Sequence, residues 1–136
     1  MKSQAFAVLV FLIYLTTGCQ SAVNQGNTEA ERNMAIVVNK NYSFNQRVEA
    51  FLRVHPDQEQ VKRQIALFHR LYPNQKAEEY ANQVCNKLKS GLTQNEVHDE
   101  GIQEIRTLRE QKIISEEEIS DFMIITSTIQ TVRNCK

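Results

Sequence analysis

The side chains with catalytic potential in this 136-residue chain are three histidines, three cysteines and scattered carboxylates. A histidine next to carboxylates is the material of a general base with its orienter, or of a metal centre, and His98-Asp99-Glu100 offers those types in a row. Consecutive helical residues point about 100° apart, so the three cannot face one metal or one reacting atom. His69 lies between Phe68 and Arg70, a poor neighbour for a cation, and His55 precedes Pro56; all three imidazoles read as surface or boundary groups. Glu78-Glu79 and the run Glu116 to Glu118 read as helix-face charges. The chain holds no Gly-rich phosphate loop, no His-Glu-x-x-His, no Gly-x-Ser-x-Gly and no Cys-x-x-Cys redox dithiol. These residue types therefore nominate no catalytic centre, no metal and no cofactor, and the expectation is a protein that is not an enzyme.

What must position the remaining side chains follows from composition. Lys plus Arg and Asp plus Glu are 16 each, so no sequence-wide field exists to hold nucleic acid. Lys62, Arg63, Arg70, Arg106, Arg109 and Lys112 are interleaved with Glu and Gln, as solvated helix faces are; they would form a stripe only if the second and fourth helices were neighbours. Four Gly, two Pro and 41% hydrophobic residues disfavour both a disordered chain and a turn-rich β-barrel. An all-α bundle of four to five helices fits.

Apolar spacing places those helices. Phe44, Val48, Phe51 and Leu52 share a stripe that ends near His55-Pro56. Pro56 and Asp57 open a second helix with Val61, Ile65, Phe68, Leu71 and Tyr72, closed by Pro73. A third runs from about Asn74 to Ser90, carries Ala77, Tyr80, Ala81, Val84, Cys85 and Leu88, and stops at Gly91 as a left-handed cap. Thr93-Gln-Asn-Glu96 is a capping box opening a helix with Val97, Ile102, Ile105 and Leu108. Ser115-Glu-Glu-Glu118 is another, opening a helix with Ile119, Phe122, Met123, Thr126, Ile129 and Val132. Gly101 inside the fourth helix costs about 1 kcal/mol against Ala, which suggests close packing or a kink there. Phe44, Phe51, Phe68, Tyr72, Tyr80 and Phe122 fit the helix stripes and read as core, not as a ligand cage.

The first residues carry an address. Lys2 precedes an unbroken apolar run from Ala5 to Leu15, too short for a stable bilayer span and followed by small residues, as in an export signal. Leu15-Thr16-Thr17-Gly18-Cys19 resembles the lipobox of bacterial lipoproteins, with Thr16 where that family prefers a large aliphatic residue. The resemblance implies cleavage before Cys19 and acylation of its thiol, giving a lipid anchor in the membrane. Cleavage nearby that releases a soluble exported protein is the alternative. Gln20 stands where proteobacterial lipoproteins retained at an inner membrane carry Asp, so in a host with two membranes the outer one is favoured. The organisation expected is a signal peptide over 1–18, a flexible polar tether over 19–33 and a helical domain over 34–136; Met34 to Val38 is too brief to classify, with a lean to helix.

With Cys19 taken by the lipobox, Cys85 and Cys135 remain as an even number in a chain that leaves the reducing cytosol, and they should pair. The segment from Tyr80 to Lys136, with Cys85-Asn-Lys-Leu-Lys-Ser-Gly91, Leu-Thr-Gln-Asn-Glu-Val97 and a helix ending at Cys135, is similar to a small exported helical domain of unknown function best known from mycobacteria. That resemblance implies the same disulfide and an all-α fold, and carries no known activity. The functional expectation is a membrane-tethered extracytoplasmic lipoprotein of the cell envelope, whose helical module binds another envelope protein; a carrier or sensor of a small apolar ligand held between helices is the second reading.

Overall fold

The computed structural model describes residues 29–135. The expected signal peptide over 1–18, the lipobox-like Cys19 and the expected tether as far as residue 28 lie outside the described residues. Six α-helices follow in order: α1 over 29–38, α2 (Phe44–Leu52), α3 (Gln58–Leu71), α4 (Lys76–Lys89), α5 (Gln94–Glu110) and, after a 3-10 turn at Glu116–Glu118, α6 (Ile119–Arg133). Among the described residues there is no strand. The bundle is thus all-α as expected, with α1 as the additional helix. Residues 29–33, placed in the tether by their small and polar composition, are helical. Glu29, Ala30, Glu31 and Arg32 are good helix formers, and docking of the next turn through buried Val37 completes the element.

Local chemistry sets the ends. Ser43 caps α2 in a box with Gln46, its hydroxyl accepting from Gln46 N–H while Gln46 Oε1 accepts from Ser43 N–H. Asp57 accepts from the amides of Glu59 and Gln60 to open α3, and Thr93 and Glu96 form the reciprocal box of α5. At the end of α4, Gly91 takes φ +105°; its N–H donates to Leu88 O while Leu92 N–H donates to Lys87 O, the Schellman pattern. Lys112, at φ +57°, ends α5 by the same two bonds, to Arg109 O and from Ile113 N–H to Leu108 O.

Helix α6 is the centre of the bundle and packs against α2, α3 and α4. Its buried residues are Asp121, Phe122, Ile125, Thr128, Ile129 and Val132, at spacings of three and four. The expected stripe is therefore rotated: Ile125 is fully buried and Met123 is 46% exposed. Three neighbours bury more than one face, so a single-face pattern misplaces the margins. Val48, Leu52, Phe68, Ala77 and Ala81 meet this helix in the core. Arg47 joins two helix ends, its Nε donating to Val37 O (2.6 Å) and its Nη2 to Val132 O (3.3 Å), a cation placed where carbonyl dipoles converge. Cys85 in α4 and Cys135, just past the left-handed cap Asn134, form a disulfide with Cα atoms 5.2 Å apart. The tail of α6 is thereby fastened to the middle of α4.

Candidate functional site

Helix α5 is the thinly packed part of the bundle. Of its residues only Val97 is buried, while Ile102, Ile105 and Leu108, expected as a core stripe, are half-buried. Its recurrent neighbour is α4, and two clefts open along its flanks. One, of about 290 Å³, is walled by Tyr80 from α4, by Val97, His98, Gly101, Ile102, Glu104 and Ile105 from α5, and by Phe122, Met123, Thr126, Ser127 and Gln130 from α6. The other, of about 280 Å³, lies towards Gln83, Val84, Lys87 and Glu100. Both share Tyr80, Val97, Gly101 and Glu104. A Cβ built on Gly101 would meet nothing within 4 Å. Of the two expectations for this glycine, close packing or a kink, the first is thus corrected: the space beside it is open, and it lies on the wall common to the two clefts.

The first cleft has an apolar wall and a polar end. Val97, Ile102, Ile105 and Phe122 supply the former. At the latter, burial pushes the Tyr80 phenol up, the nearby Glu104 charge pushes it further, and a hydrogen bond with Gln130 offsets part of the rise. Tyr72 packs edge-on against Tyr80, with ring centroids 5.7 Å apart, and is pushed up by burial, by Tyr80 and by Glu104. Glu104 is exposed, but partial loss of hydration beside α4 raises its carboxyl above the ordinary range, with Lys87 pulling the other way. Both phenols therefore stay protonated at neutral pH, and the Tyr80 hydroxyl can donate as well as accept. Such an arrangement offers an apolar wall for packing and hydroxyl, amide and carboxylate groups for hydrogen bonding.

The three histidines are dispersed. His98 reaches the cleft wall, His69 Nε2 lies 2.6 Å from Glu49 Oε1 between α3 and α2, and His55 Nδ1 accepts from Asp57 N–H. Among the described residues no group of three His, Cys, Asp or Glu comes together to hold a metal. The basic positions are partly gathered: Arg70, Arg109 and Lys112 border one surface depression with Glu116 and Glu118. Arg70 pairs with Glu118 at 2.7 Å and Arg109 with Glu116 at 2.9 Å, so their charge is answered locally. Lys62 pairs with Glu59, and Lys87 with Glu100. Glu118 also accepts from Ser115 N–H, and these bonds hold its carboxyl below the ordinary range, as a helix-opening role requires.

Sequence reasoning missed Glu104 and Gln130 as site residues, and missed Gln64 and Asp121. Gln64 is buried in α3 and donates from Nε2 to Asp121 Oδ1 at 3.1 Å, with Arg63 Nε 3.5 Å from Oδ2. This cluster ties α3 to the first turn of α6. The available signal for the cleft was the i, i+4 row Val97, Gly101, Ile105, in which a glycine interrupts an apolar face. No protein family, curated protein or solved structure matches the chain, so its function rests on this geometry and on the residues themselves.

Proposed function

We propose that the chain is an extracytoplasmic lipoprotein, held to a membrane by acyl chains on Cys19, whose disulfide-stapled bundle presents the cleft between α4, α5 and α6 to a protein partner in the cell envelope. The observation that carries the reading is the Cys85–Cys135 bridge, because such bridges persist in oxidising compartments and not in a reducing cytosol. It agrees with the export-signal pattern of Ala5 to Leu15 and with the lipobox-like Gly18-Cys19. With two or three acyl chains the attachment is durable, and in a host with two membranes Gln20 favours the outer one. A protein side chain suits the cleft better than a free ligand. About 290 Å³ is at the small end for small-molecule pockets, and Met123 and Ile124 stand exposed on α6, Met123 on the cleft wall itself.

Two measurements test this. Cys19→Ser should abolish incorporation of a labelled acyl chain and leave the heavier, unprocessed chain; acyl label retained in this variant would contradict the anchor. A photo-crosslinking residue at Ile102 should capture one discrete envelope protein, and the same residue at Lys62 should not. Equal capture patterns from both positions would contradict the cleft as the docking site. A small apolar ligand in the cleft is the second reading, favoured by the wall of Val97, Ile102, Ile105 and Phe122; native mass spectrometry after gentle extraction would show it as a discrete added mass.

A further inference from the structure

Helix α1 keeps an apolar flank in solvent. Met34 and Val38 are one turn apart on it, 40% and 71% exposed, while Val37 beside them is buried in the core. The chain then turns tightly. Asn39 N–H donates to Ile36 O, Tyr42 N–H to Asn39 O, and Asn41 N–H to the Asn39 side chain. This holds Tyr42, 41% exposed, near the end of the helix. Three large apolar side chains are thus exposed within nine residues, and among the described residues no contact covers them. Tyrosine, with an apolar ring and a hydroxyl tip, is the residue that suits a boundary between hydrocarbon and water.

The length of chain before α1 says what this flank meets. Ten peptide steps separate Cys19 from Glu29, a span of at most about 35 Å fully extended and about half that on average for a flexible segment. A domain tethered so closely samples the bilayer surface at high effective concentration, so a contact too weak to bind membranes by itself becomes populated. We propose that Met34, Val38 and Tyr42 form a second, peripheral attachment that rests on the lipid interface and fixes which side of the domain faces the membrane. The proposal depends on the lipid anchor at Cys19. The flanking charges Glu29, Glu31, Arg32 and Lys40 are mixed in sign, so the contact is apolar and zwitterionic lipid suffices for it.

The chain contains no tryptophan, so a single substitution supplies the only indole reporter. Full-length lipidated Val38→Trp and Ile124→Trp proteins would be reconstituted into phosphatidylcholine vesicles, with and without brominated acyl chains, and checked by flotation. The expected result is that both float, and that Trp emission is blue-shifted and quenched by bromolipid at position 38 and not at position 124. Adding Met34→Asp to Val38→Trp should weaken the quenching while flotation persists. Flotation without quenching at 38 overturns the contact and leaves the anchor standing, and equal quenching at both positions overturns the assignment to α1. Failure to float overturns the anchor and the contact together.

Discussion

Reduction of the Cys85–Cys135 bridge changes the covalent chain and almost nothing else in the folded protein. The bridge spans a sequence separation of 50 residues. The chain entropy that such a closure removes from the unfolded ensemble corresponds to about 4 kcal/mol. On the folded side the change is small. Cys85 is buried and its thiol remains a compact apolar group, and α6 is still held by α2, α3, α4 and the Arg47 guanidinium. The difference therefore falls on the unfolded state. Against a total of roughly 5–15 kcal/mol for a domain, losing it leaves little margin. Urea unfolding followed by far-ultraviolet circular dichroism, with and without a phosphine reductant at one pH, reads this directly. The midpoint should fall on reduction and the slope should rise, because the released unfolded chain exposes more surface. A midpoint unmoved after alkylation has shown both thiols reduced would refute the reasoning, and so would native protein whose thiols react with no reductant present.

Other perturbations have signs set by the structure. Gly101→Ala should stabilise by about 1 kcal/mol, since a helix interior prefers Ala and the new Cβ meets nothing within 4 Å; Gly91→Ala should destabilise by a similar amount or more, because φ there is +105°. Opposite shifts of the two denaturation midpoints check the pair. Asp121→Ala should cost about 1–3 kcal/mol by leaving the buried Gln64 amide without its acceptor, and Gln64→Leu in the same background should recover part of the loss. The Glu104 carboxyl is raised in the folded chain, so the folded state holds its proton to higher pH than the unfolded state, and stability is lost as pH rises through that range. Because Glu104 is exposed and screened by solvent, Glu104→Gln should be only slightly more stable than the parent at pH 7 and indistinguishable from it well below 4.5. Glu118, lowered by its bonds to Ser115 and Arg70, has the opposite sign: its contribution is present above 4.5 and fades as the pH falls below, which Glu118→Gln, measured at the two pH values, would remove.

The helices were legible where local chemistry and one-sided burial agree. Asp57 before Val61, Gly91 after Leu88 and the Thr93–Glu96 box each act through bonds within a few residues, and α3 and α4 present a single buried face. Ser43–Gln46 is the same device with an amide in place of a carboxylate, a weaker signal in the sequence. Helix α1 was harder, because its polar first turns acquire a reason to be ordered only when Val37 docks and Arg47, ten residues on, takes its carbonyl. The Cys85–Cys135 staple follows from cysteine parity, but in α6 the margin between Met123 and Ile125 depends on three neighbours at once. The cleft was the least legible feature. It exists because α5 rests on α4 through few contacts, and no periodicity announces how far a helix stands off from its neighbour. The helix penalty of Gly101 is legible in the sequence, whereas the open space beside it is not, because close packing, a kink and an open wall all tolerate a glycine.

The intact mass of the mature protein taken from the membrane fraction, with thiol alkylation before and after reduction, tests the central claim most directly. The account predicts a chain that begins at an acylated Cys19, with Cys85 and Cys135 unreactive until reduced. An unprocessed chain carrying three free thiols would contradict it.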